Sequence, residues 1–180
     1  MTHEIVLAGF GGQGVMLMGQ LLTYAGMLEN KNVSWIPSYG PEMRGGTANC
    51  SVIISEEPIG APIVTEPTTV VAMNLPSLDK FEPQLKAGGT LIINSSLIER
   101  GAKRGDVTTY QVPSNDIANE LGNAKVANMV VLGAILAATS AVSQESVLKA
   151  FAKMFAKKPG LLAINEQAIT RGAEYVKSKR

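Results

Sequence analysis

The feature that most constrains the fold lies near the start of the chain. Ile5-Val6-Leu7-Ala8 is a short, continuously apolar run that stops in glycines, as a strand buried on both faces does. Gly9-Phe10-Gly11-Gly12-Gln13-Gly14 follows, and then Val15 to Leu28, apolar on nearly every face and punctuated by Gln20 and Thr23. A buried strand, a Gly-x-Gly-x-x-Gly turn and an apolar helix begin an α/β domain. The helix must pack on a sheet, and its breadth of apolar surface leaves room for a second neighbour.

The rest of the chain repeats the alternation. Further strands are predicted over Val33 to Pro37, Thr47 to Ser55, Val70 to Asn74, Thr90 to Asn94 and Val107 to Val112. Pro76 opens a helix through Leu85 that Gly88-Gly89 stops. From Ser114 the pattern turns helical: Ser114, Asn115 and Asp116 offer caps for a short helix through Leu121. Val126 to Ala141 reads as a central buried helix, Ser143 caps one through Ala156, and a last one runs from Leu161 to Lys177. The expectation is one Rossmann-like domain over residues 1–180, with a mostly parallel sheet flanked by helices and a helical C-terminal third.

Composition removes several classes of function. Sixteen basic and fifteen acidic residues nearly cancel, so no strong field steers the chain toward nucleic acid or an anionic membrane. Cys50 is the single cysteine, too few for an internal disulfide or for the four thiolates of an iron–sulfur cluster. If the chain works with electrons, the metal centres sit on another polypeptide. Met1-Thr2-His3-Glu4 has no basic leader character, and the apolar run around Met129 to Ala138 falls short of the ~20 residues of a membrane span, so a cytoplasmic protein is expected.

The glycine loop admits three readings. Glycines allow close backbone approach, and free amides at a helix N-terminus attract phosphate or carboxylate. The same glycines could serve only to pack the first helix tightly on the sheet. A stand-alone Rossmann-type nucleotide-binding protein is the third reading, but it calls for an acid at the end of the second strand. Here that strand ends Trp35-Ile36-Pro37-Ser38, and Glu29 sits before it. A second shaped loop, Pro37 to Cys50, clusters Ser38, Tyr39, Glu42 and Arg44 with Gly45 and Gly46. At the carboxyl ends of the strands it would lie beside the first loop, in the usual place for a ligand crevice. An ordinary surface loop with a Glu42–Arg44 pair is its plainer reading.

The two loops together, Gly9-Phe10-Gly11-Gly12-Gln13-Gly14-Val15 and Ser38-Tyr39-Gly40-Pro41-Glu42-Met43-Arg44-Gly45-Gly46, resemble the signature of the gamma subunit of 2-oxoacid:ferredoxin oxidoreductases. The resemblance extends to Val126-Ala127-Asn128-Met129 and leans toward the 2-oxoglutarate and branched-chain (ketoisovalerate) groups, with 2-oxoglutarate favoured as the substrate. It implies a complex that converts a 2-oxoacid, coenzyme A and oxidised ferredoxin to acyl-CoA, carbon dioxide and reduced ferredoxin. Thiamine diphosphate with magnesium and the iron–sulfur clusters would be held by alpha, beta and delta partner subunits. The present chain would contribute no catalytic residue and no metal ligand, and would be inactive alone. Gly9, Gly11, Gly12, Gln13, Gly14, Ser38, Tyr39, Glu42, Arg44, Gly45 and Gly46 would face the coenzyme A cleft or the catalytic subunit. An architectural subunit whose loops only dock a partner remains the alternative, and an isolated chain could form a homodimer in place of missing partners.

Several residues read blandly. Cys50 is a small hydrophobe in or beside the third strand, His3 a surface residue, and the methionines core or interface filler. Lys149, Lys153, Lys157 and Lys158 line a solvated face, with phosphate binding as the alternative.

Overall fold

A computed structural model describes residues 1–38 and 48–180. Six strands form one sheet: β1 (Thr2–Gly9), β2 (Asn32–Ser38), β3 (Ala48–Ser55), β4 (Thr69–Ala72), β5 (Thr90–Asn94) and β6 (Thr108–Val112). Their order across it is β2-β3-β1-β4-β5-β6. The strands β1, β4, β5 and β6 pair in parallel, and β3 alone is reversed, antiparallel to both β1 and β2. The sheet is thus mostly parallel, as the sequence predicts. No α-helix intervenes between β5 and β6.

Alternation along β1 divides the interior. Ile5 and Leu7 point into a large core with α1 (Val15–Leu28), α3 (Ser114–Glu120), α4 (Ala127–Thr139), α5 (Gln144–Met154) and α6 (Leu162–Lys177). Val6 and Ala8 point the other way, into a smaller core with Val70, Ala72, Leu91 and Ile93 under α2 (Leu75–Phe81). Strands covered on both faces need apolar residues at every position, which is why they read as unbroken hydrophobic runs.

Every residue of α4 from Ala127 to Ala137 is buried, because α6 crosses it at close range. Two glycines make that crossing possible. A methyl at Gly133 would overlap the Ile169 carbonyl, and one at Gly172 would overlap the Val130 carbonyl. On the other face, Pro83 ends the regular turn of α2, so the helix predicted through Leu85 finishes as a 3-10 turn at Glu82–Gln84. Buried Glu82 then ties down the long β5–β6 connection: its carboxylate accepts from the Lys103 amide at 2.7 Å and from Arg100 Nη1 at 3.3 Å. Ser114 differs from its sequence reading, since it is the buried first residue of α3, with Pro113 at the cap position.

Candidate functional site

The direction of the strands decides where a site can form. Five of the six run the same way, and the switch between crossovers to either face falls between β1 and β4. At that point the carboxyl ends diverge and leave a crevice.

The glycine loop occupies it. Gly14 caps α1 in the left-handed conformation (φ 74°), and an added methyl there would strike the Asn128 side chain. Gln13 turns inward beneath the loop. Its Oε1 accepts from the Phe10 amide at 2.6 Å and from Asn74 Nδ2 at 3.3 Å, and its Nε2 donates to the Met73 carbonyl at 3.4 Å. One side chain thereby joins the loop after β1 to the end of β4. A Cβ at Gly9 would lie 2.9 Å from Met73 Cβ and 2.6 Å from Gln13 Oε1, so a side chain there would crowd β4 and displace the Gln13 bridge.

The polar lining continues along the strand ends. Asn74 caps α2 by accepting from the Ser77 amide at 2.9 Å. Asn94, at the end of β5, donates to the Met73 carbonyl at 3.5 Å and to Asn115 Oδ1 at 2.9 Å, while its Oδ1 takes the Ser96 amide at 3.3 Å. Asn128 donates to the Gly14 carbonyl at 3.4 Å. Buried polar groups persist only when bonded, and these carboxamides bond chiefly to one another and to the loop backbone. Sequence reading placed Asn74 and Asn94 in strands and Asn115 among the α3 caps, without assigning them to a site. The available signal was a carboxamide directly after the apolar runs of β4 and β5.

The outer face of the loop differs from the inner one. Gly11 and Gly12 are exposed with open space beside them, Gly12 has φ 89°, and α1 carries no side-chain cap. Amides presented this way suit a phosphate or carboxylate. Phe10, Leu75 and Leu97, exposed at the ends of β1, β4 and β5, add an apolar border. Ser38 is exposed at the end of β2, paired across to Asn49, while neighbouring Ala48 pairs with Gly9. It therefore stands two strands from the glycine loop, roughly 10 Å away. Tyr39, Glu42, Arg44, Gly45 and Gly46 lie outside the described residues.

Three titratable groups with shifted values, Glu29, Cys50 and His3, lie outside this polar lining. Glu29 sits at the opposite end of α1, where its carboxylate accepts from the Ser143 amide at 2.7 Å and Lys31 Nζ at 2.9 Å. Burial pushes its pKa up, but those contacts outweigh burial and bring it to about 2. It is no ribose ligand, and β3 separates β2 from β1, so the described residues place no acid where a dinucleotide site needs one. Burial pushes the Cys50 thiol up to about 12, with Trp35 opposing the shift. Burial also lowers His3, helped by Lys31, and the described residues contain no cluster of three His, Cys, Asp or Glu able to hold a metal. None of their helices is long and apolar enough to cross a membrane.

Comparison with known proteins agrees with this architecture. The chain is 39% identical over 175 residues to the ketoisovalerate oxidoreductase subunit VorA of Methanothermobacter thermautotrophicus, covering 97% of this chain but 36% of that one. It spans about a third of that longer relative. With the 2-oxoglutarate synthase subunit KorC of Methanocaldococcus jannaschii it shares 39% identity over 180 residues, covering 98% of this chain and 95% of that one. The crystal structure of a keto/oxoacid ferredoxin oxidoreductase gamma subunit from Geobacter sulfurreducens superposes with a TM-score of 0.85 at 31% identity, covering 98% and 99% of the two chains. The kinship inferred from the two loops is borne out. Residues 4–175 match the pyruvate ferredoxin/flavodoxin oxidoreductase description, and the chain belongs to that family.

Proposed function

We propose that this chain is the gamma-type subunit of a cytoplasmic 2-oxoacid:ferredoxin oxidoreductase, residues 1–180 forming one domain that borders the coenzyme A cleft and helps to assemble the complex. The observation that carries the reading is the outward-facing glycine loop on a polar strand edge, in a chain that matches KorC nearly end to end. That end-to-end match also favours 2-oxoglutarate over ketoisovalerate, since the equally similar VorA is matched over only 36% of its length.

The residues fit an anionic cofactor segment. Amides of Gly11, Gly12 and Gly14 and the hydroxyl of Ser38 would take phosphate oxygens, with Arg44 as a further donor on sequence grounds. Coenzyme A supplies the thiol that accepts the acyl group. This chain's part would be to orient the phosphates and, through Phe10, Leu75 and Leu97, to exclude water from the border. Thiamine diphosphate, magnesium and the iron–sulfur clusters belong to alpha, beta and delta partners in this reading, and the single cysteine agrees with that division.

The test is to recover the complex from its native host through a tag on this chain. Coenzyme A-dependent reduction of a viologen dye is then measured with a panel of 2-oxoacids. Activity with 2-oxoglutarate supports the assignment, and activity with a branched-chain acid alone moves the substrate. An Arg44→Ala complex with full assembly and unchanged coenzyme A KM would reduce the loops to docking elements. A partnerless chain with nucleotide affinity would overturn the reading altogether.

A further inference from the structure

Helix α1 has a second apolar stripe. Val15, Met18, Leu21, Leu22 and Ala25 face the core, yet Tyr24, Met27 and Leu28 also carry large apolar groups and are 49%, 55% and 49% exposed. Their i, i+3, i+4 spacing puts them on one face of the last turns of α1. With Met154 of α5 they line a groove of about 510 Å³. The stripe begins roughly 13 Å along the axis from the glycine loop, so the site on the strand edge does not account for it.

The border of the groove is one-sided in charge. Lys153 lies in its wall, and Lys153 and Met154 also line an adjoining hollow with Lys157 and Lys158. Neither lining contains an acid. Lys149, one turn back, is paired with Glu145 at 3.0 Å, whereas Lys153, Lys157 and Lys158 form no ion pair with any described residue. Nearby Glu29 is held by Ser143 and Lys31 and cannot neutralise them.

We infer that this groove docks an acidic amphipathic helix of a partner subunit, apolar side chains entering between α1 and α5 and carboxylates meeting Lys153, Lys157 and Lys158. A helix supplies anchors at i, i+3 and i+4 that match the stripe, and its polar flank supplies the missing sign of charge. A second copy of this chain fits poorly, because two-fold packing on this face would bring two sets of lysines together. Assignment of the helix to a partner subunit rests on the function proposed above.

Carbodiimide treatment of the tagged native complex joins a lysine to a carboxylate only where the two touch. Lys153 and Lys157 should link to Asp or Glu side chains within one helix of a partner subunit, and acetylation of both should drop at least tenfold relative to the isolated chain. Met27→Glu should lose that subunit from the tag while the circular dichroism spectrum stays native, and Lys153→Glu with Lys157→Glu should release it at lower salt. Links to another copy of this chain, or lysines equally open in complex and isolated chain, overturn the inference. So does a chain recovered alone. Dye reduction on the same preparation keeps the two ideas apart: an active complex with open lysines sinks only the groove, and linked lysines without oxoacid activity sink only the proposed function.

Discussion

Replacing Glu29 by glutamine isolates the one strongly shifted carboxylate among the described residues. The group lies between helices, tying the end of α1 to the Ser143 amide and to Lys31, and Lys31 itself reaches the Ala141 carbonyl at 2.8 Å. A carboxyl drawn from 4.5 when unfolded to about 2 when folded represents at most about 3 kcal/mol. Water reaches 20% of the side chain, which trims the figure to about 2 kcal/mol. Because the folded value is the lower one, the contribution is complete above about pH 4.5 and fades as pH falls toward 2. Urea unfolding of both proteins should give a difference of about 2 kcal/mol at pH 7 that shrinks to a few tenths near pH 2.5. A difference of the same size at both pH values would mean that lost packing, not charge, was being measured. No difference at pH 7 would refute the ion-pair account outright.

Gly172→Ala should destabilise by about 3 kcal/mol in the same assay, even though alanine is the better helix former by about 1 kcal/mol, because its methyl has only the Val130 carbonyl to displace. A stabilised variant would show that the α4–α6 crossing is looser than described. Glu82→Ala removes the buried carboxylate that holds half-buried Arg100 and the Lys103 amide, leaving Arg100 only Asp79 as an ion partner among the described residues, and should cost about 3 kcal/mol, with early proteolytic cleavage between β5 and β6. Wild-type cleavage kinetics there would refute the anchoring role. Cys50, with its thiol near 12, should stay inert to a disulfide reagent at pH 8 and react only at the rate of unfolding. Rapid labelling of the native chain would contradict its burial.

Much of the fold is legible because local patterns and tertiary packing agree. The limits of α1 and β5 fall where the apolar runs and glycines put them. Ser143 caps α5 through the Ser146 amide at 3.1 Å, as its sequence suggests. Direction is different. An eight-residue apolar strand reads alike whether it runs up or down, so the reversal of β3 is a property of pairing and not of pattern. The same holds for Ser114, whose capping chemistry lost to Pro113, a residue already fixed in φ and placed at the boundary. The glycine loop was legible in the sequence, whereas the carboxamide edge beside it was not. Asn74, Asn94, Asn115 and Asn128 are scattered through 55 residues and meet only because parallel strands bring their carboxyl ends together.

That edge explains how a Gly-x-Gly-x-x-Gly spacing can exist without the chemistry it usually announces. In a dinucleotide fold the loop leaves the crevice open and the neighbouring strand offers an acid to the ribose. Here Gln13 fills the space beneath the loop, β3 takes the place beside β1, and the only acid near the usual sequence distance is committed at the far end of α1. What remains available is the outer face: Gly11 and Gly12, the uncapped turn of α1, and an apolar border that belongs against another surface. A loop closed inward and open outward is suited to sharing a ligand across an interface. With the docking proposed above, the second apolar stripe on α1 would give the same helix a separate hold on the partner, and one element would couple the shared site to the contact that keeps it in place.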